Sequence, residues 1–135
     1  MPINDDATLR KILKESKRIA VVGASEKPWR DSNSIAEFLI REGYVVLPVN
    51  PKYEKVLDLR CYPDLKSLPQ AVDIVDIFRN PDHVEKIVDE AIAVKARTIW
   101  MQLGVVNPKA AQKAEESGLQ VVMDRCILVD YRRLI

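Results

Sequence analysis

Gly23-Ala24-Ser25 is followed by Lys27 and Arg30, and then by Ser32-Asn33-Ser34. Small residues let a backbone approach a ligand closely. A helix that starts near 32–34 leaves its first N–H groups without partners and puts the positive end of its dipole there. Ser32, Asn33 and Ser34 are the cap candidates for that helix. Such a turn suits an oxyanion, and Lys27 and Arg30 add full charges beside it. The chemistry is the holding of a diphosphate. The plainer alternatives are a tight turn that lets strand and helix pack, and ordinary solvated loop cations.

Further candidates stand where other apolar runs end: Asn50-Pro51-Lys52, Phe78-Arg79 and Gln102. None makes a catalytic set. His83 is the only histidine and is joined to no Ser, Cys or carboxylate in a nucleophile arrangement. Cys61 and Cys126 are too few and too far apart for a disulfide framework or a zinc site, and no metal is expected. Cys126 is a candidate reactive thiol: a helix starting there, with Arg125 adjacent, would favour its thiolate. A small buried hydrophobe is its other reading.

These residues need a frame. Apolar, β-branched runs over 19–22, 44–49, 73–78, 98–101 and 119–123 read as strands, separated by stretches of helical period. Ile35, Phe38 and Leu39 begin one helical stripe, which Gly43 ends. Val84, Ile87, Val88 and Ala91 form another, opened by Asn80-Pro81. Asn107-Pro108 opens a third helix, which Gly118 ends, and 126–134 reads as a short last helix. Asp5 or Asp6 caps a first helix carrying Leu9, Ile12 and Leu13, so residues 1–17 form a cover outside the repeating unit. Residues 52–72 are irregular, with 57–61 a candidate edge strand.

Alternation of this kind predicts a three-layer, Rossmann-like α/β fold in a single domain over 1–135, with a parallel sheet. The most economical strand order, counted along the chain, is 2-1-3-4-5. Its switch point lies between the first and third strands, where ligands settle beyond the carboxyl ends. Gly23–Ser25 and 78–80 are then the lips of a crevice, flanked by 50–52 and 102–104.

A dinucleotide fingerprint would show Gly-x-Gly-x-x-Gly and an acid at the end of the second strand for the ribose hydroxyls. Only Gly23 of the three glycines is present, and Asn50-Pro51-Lys52 replaces the acid. Lys52 would attract a phosphorylated ribose that a carboxylate would repel. NAD and FAD are disfavoured, which leaves NADP or coenzyme A. No Gly-x-x-x-x-Gly-Lys-Ser/Thr run is present for a nucleotide hydrolase, and no acidic pair follows the first strand as a phosphoacceptor domain requires.

The 135 residues carry 21 Lys and Arg against 20 Asp and Glu, so no charge footprint points to nucleic acid or an anionic membrane. The apolar runs are of strand length and the N-terminus is acidic. Neither a secretory signal nor a membrane span is expected, and the cytoplasm is the expected location.

Six blocks in order resemble the stand-alone CoA-binding domain proteins: Val22–Ser25, 27–32, Val49–Lys52, 78–81, 100–104 and 123–126. That family is similar in fold to the CoA-binding domain of the succinyl-CoA synthetase α subunit. The resemblance implies that the Ser25–Ser32 loop holds the diphosphate of coenzyme A, that Lys52 lies near the adenosine phosphate, and that Phe78 and Arg79 line the crevice. It points to a small module that binds CoA or an acyl-CoA without transforming it. The alternatives are an NADP-dependent oxidoreductase and the CoA-binding subunit of a split acyl-CoA ligase.

Overall fold

In the computed structural model, which describes residues 1–135, Asp5 opens the first helix by accepting the Thr8 amide at 2.9 Å. Leu9, Ile12 and Leu13 recur along one face of α1 (Asp6–Glu15) and are buried. The strands that follow are β1 (Arg18–Val22), β2 (Val45–Val49), the short pair β3 (Lys55–Val56) and β4 (Leu59–Arg60), then β5 (Ile74–Ile77), β6 (Thr98–Met101) and β7 (Gln120–Val122). Helices α2 (Asp31–Arg41), α3 (Val84–Ala93), α4 (Pro108–Glu116) and α5 (Ile127–Leu134) complete the chain.

The main sheet is parallel, in the order β2-β1-β5-β6-β7, which is the expected 2-1-3-4-5 once β3 and β4 are set aside. Strand alternation divides the core between two faces. Ala20, Val22, Val75 and Ile77 pack with the inner faces of α3 and α4. Ile19, Val21, Ile74 and Trp100 pack with those of α1, α2 and α5. The strands are buried on both sides, so they read as apolar runs rather than alternating ones. No helix is long and apolar enough to cross a membrane.

Two expectations change. Residues 57–61 do not add an edge strand to the sheet. Leu57 and Asp58 both take positive φ and turn β3 back on β4 as a separate antiparallel hairpin. Only Tyr62 makes backbone hydrogen bonds to the edge of β2, donating to Pro48 O and accepting from Asn50 N. The second helix begins at Asp31, so Ser32, Asn33 and Ser34 lie inside its first turn and do not cap it. Arg30 holds the cap position and gives no side-chain bond there.

One polar residue has no place in the apolar pattern. Asp76, in β5, sits in register between Val21 and Trp100, is wholly buried, and has no hydrogen-bond partner for either oxygen. Burial pushes its carboxyl well above the usual carboxylate range, so the group is kept neutral.

Candidate functional site

At the carboxyl end of β1 the chain turns at Gly23, whose φ of +90° is open to glycine and strained for other residues. A Cβ there would lie 3.0 Å from both Arg79 Cδ and the Phe78 carbonyl. The Gly23 and Ala24 amides both donate to Val49 O, at 2.9 and 3.3 Å. Asn50 Nδ2 donates to Ala24 O and Asn33 Nδ2 to Ser25 O, each at 2.8 Å. Ser25 Oγ accepts the Lys27 amide at 3.1 Å, and Asn50 Oδ1 accepts the Lys52 amide at 2.9 Å. Two asparagines thus clamp the loop carbonyls from opposite sides.

The clamp leaves donors over. The backbone amides of Ser25, Glu26, Asp31 and Ser32 donate to no protein group. Ser25 and Ser32 are buried, and a buried N–H without a partner is costly unless something else accepts from it. Ser25, Asp31 and Ser32 border a cavity of about 690 Å³ that Lys27, Arg30 and Lys52 also line, against one acid, Asp31. The protein's ion pairs all lie elsewhere, so the three cations keep their charge for the cavity. Lys27 also rests over the indole of Trp29, 5.9 Å from the ring centre.

Of the residues named from the sequence, Gly23, Ser25, Lys27, Arg30, Ser32, Asn50, Lys52 and Phe78 come together around this cavity. Ala24 is fully buried and contributes backbone alone. Pro51 and Arg79 line a neighbouring cleft on the α3 side. Gln102 is not brought to the cavity wall. It is 4% exposed, and its Oε1 accepts the Ile127 amide at 3.0 Å, capping α5. A strand-end glutamine reads as a ligand contact until the helix above it is placed.

Trp29, Asp31 and Tyr53 line the cavity without having been singled out. Trp29 stands between the two loop cations and Tyr53 beside Lys52, and that adjacency was the available signal.

Cys126 is half-buried at the N-cap of α5. Its neighbour Arg125 makes a bidentate pair with Asp130, at 2.7 and 2.8 Å, and Asp130 is 2% exposed. The guanidinium expected to favour a thiolate is therefore already neutralised. Cys61 is buried beneath Asn50, its thiol 3.5 Å from Asn50 O, and burial raises its pKa.

Known proteins resemble this chain in sequence and fold. Residues 17–132 match the family model described as a CoA-binding domain. YneT of Bacillus subtilis is 37% identical over 123 residues, covering 91% of each chain. The ADP-forming acetate–CoA ligase I of Archaeoglobus fulgidus is 29% identical over 82% of this chain, which spans only 18% of that protein. A solved structure of a protein from Pyrococcus horikoshii superposes with a TM-score of 0.96 at 42% identity, covering 99% of this chain and 96% of the other.

Proposed function

The chain belongs to the CoA-binding domain family, and on that premise we propose that it holds coenzyme A or an acyl-CoA as a small binding or regulatory module. The observation that carries the reading is the set of unpartnered amides at 25–26 and 31–32, with Lys27, Arg30 and Lys52 beside them. The diphosphate accepts from those amides at the start of α2, where the dipole adds to the attraction. Charge-assisted bonds from Arg30 and Lys27 close the loop over it. Lys52 meets the phosphate on the ribose, at the end of the strand where an NAD site would place a carboxylate. The chain binds, orients and shields; no residue near the cavity has the arrangement of a nucleophile and its base.

Calorimetric titration with CoA, dephospho-CoA and NADP tests this. CoA should bind most tightly and dephospho-CoA more weakly, with Lys52→Ala narrowing that gap. NADP binding more tightly than CoA would overturn the reading in favour of an oxidoreductase, and an unchanged gap in Lys52→Ala would overturn the role given to Lys52.

A second reading follows from the relatives. Because the chain spans 18% and 15% of two acetate–CoA ligases, it would suit the CoA-binding component of a ligase whose other parts are separate chains. Co-purification of a nucleotide-binding partner that confers CoA-ligase activity would establish it.

A further inference from the structure

Beyond the diphosphate pocket, the molecule carries a second cleft of about 690 Å³, on the α3 side of the same strand ends. It is reached across Gly23: the Arg79 side chain passes over the position where a Cβ would stand, with Cδ 3.0 Å away, and enters the cleft. Lys66, His83 and Lys86 line it as well.

Three acids share the lining, but each is engaged inside the protein. Asp64 Oδ1 accepts from the amide and hydroxyl of Ser67, at 2.9 and 2.6 Å. Glu90 Oε1 accepts the Leu65 amide at 3.1 Å. Asp89 is paired with Lys113. The basic groups are not engaged. None of Lys66, Arg79, His83 and Lys86 belongs to any of the protein's ion pairs. Arg79 is half-buried, and its guanidinium donates to no protein acceptor. A guanidinium that no protein acceptor holds keeps all its donors for a ligand in the cleft.

We propose that this cleft is a second anion site, built to hold a phosphate group between the Arg79 fork and Lys86, with Lys66 and His83 at its rim. Phosphate fits better than a point anion because a planar guanidinium grips two of its oxygens at once. The group is supplied by a free phosphate or phosphate monoester bound alongside the first ligand, or by the ribose phosphate of CoA reaching over Gly23, in which case it does not rest on Lys52.

The site does not depend on the CoA reading, and its test begins without CoA. Inorganic phosphate is titrated into the full chain at pH 7, with ionic strength fixed by sodium chloride. Two double variants are compared with it: Arg79→Gln/Lys86→Gln for the second cleft and Lys27→Gln/Arg30→Gln for the first. Phosphate affinity should fall about tenfold or more in the former, which is the loss of one or two charge-assisted bonds. The latter should lose only the phosphate taken up by the first cavity and keep that held by the second cleft. The exposed-site variant Lys66→Gln/Lys86→Gln, which touches no core packing, should lose affinity in the same direction. Removing mutually repelling charges should leave the ligand-free melting temperature of these variants no lower than that of the parent.

Saturation with CoA and with dephospho-CoA then separates the sources. Loss of phosphate uptake with CoA alone identifies the ribose phosphate as the occupant, and uptake that survives both identifies a separate anion. Either supports the site. No phosphate binding by the parent at millimolar concentration, or binding unchanged by Arg79→Gln/Lys86→Gln, would overturn it. Failure of CoA itself to bind would instead overturn the function proposed above and leave the phosphate result standing.

Discussion

The two ends of the same sheet are finished differently. At the amino end, Asp73 accepts the amides of Lys17 at 2.8 Å and Arg18 at 3.0 Å, and Thr98 Oγ1 donates to Gln120. Burial alone would raise the Asp73 carboxyl, but those amide bonds, with Arg97 and Arg18 nearby, outweigh it and hold it below its ordinary value. At the carboxyl end, four amides have no hydrogen-bond partner in the protein, and the side chains of Lys27, Arg30, Lys52 and Arg79 make no ion pair. One end gives backbone amides to a carboxylate of the chain itself and the other leaves amides open. A parallel sheet aims all its strand ends the same way, so the loops beyond the carboxyl ends are where unsatisfied donors can converge without disturbing the core.

The sharpest way to break the contrast is Gly23→Ala. It places a Cβ 3.0 Å from the Phe78 carbonyl at a φ of +90°, so it should cost about 2 kcal/mol or more of stability and remove CoA binding. Urea denaturation and calorimetry on the same sample would check both.

Asp76 lies between the two ends and belongs to neither, which gives the next largest effect. Its folded-state pKa is raised, so its neutral form costs least at low pH. Stability should decline as pH rises from the unfolded value, near 4, toward the folded one, by up to about 1.4 kcal/mol per pH unit. Asp76→Val should remove that slope and gain about 2 kcal/mol at pH 8. Denaturation curves of both proteins at pH 5 and pH 8 would measure it, and parallel curves would show that the carboxyl is not the titrating group.

Asp73→Ala sharpens the comparison from the closed end. It should cost about 1–2 kcal/mol of stability while leaving CoA affinity unchanged. Because the Asp73 pKa is depressed, its contribution is present above the unfolded value and lost as pH falls through the folded one. The parent and Asp73→Ala should therefore converge in stability at acid pH.

Smallest is Arg30→Ala at the open end, which should weaken CoA about tenfold and reduce the salt dependence of binding, with little change in stability. A large loss of stability there would mean that Arg30 serves the fold.

Much of this was legible along the chain. The apolar runs had to be strands buried on both faces, and the caps at Asp5 and Asn107 formed where short polar side chains precede helical stripes, while Asn80 caps the 3₁₀ turn Pro81–His83 that leads into α3. The loop composition marked most of the first cavity. The hairpin at 55–60 was not legible, because non-glycine residues at positive φ carry little sequence signal. Nor was the start of α2 at Asp31: a run of three good cap residues hid the fact that Asn33 is needed to hold Ser25 O.

Sequence by itself determined the fold class and the strand order, because these follow from periodicity and local backbone chemistry. Only the tertiary structure decided which polar groups would find partners. Gln102 was drawn away to cap α5 and Arg125 to pair with Asp130, while Arg79 was carried over Gly23 with nothing to meet it. Pairing of that kind depends on which elements come to lie side by side, and no local pattern in the chain records it.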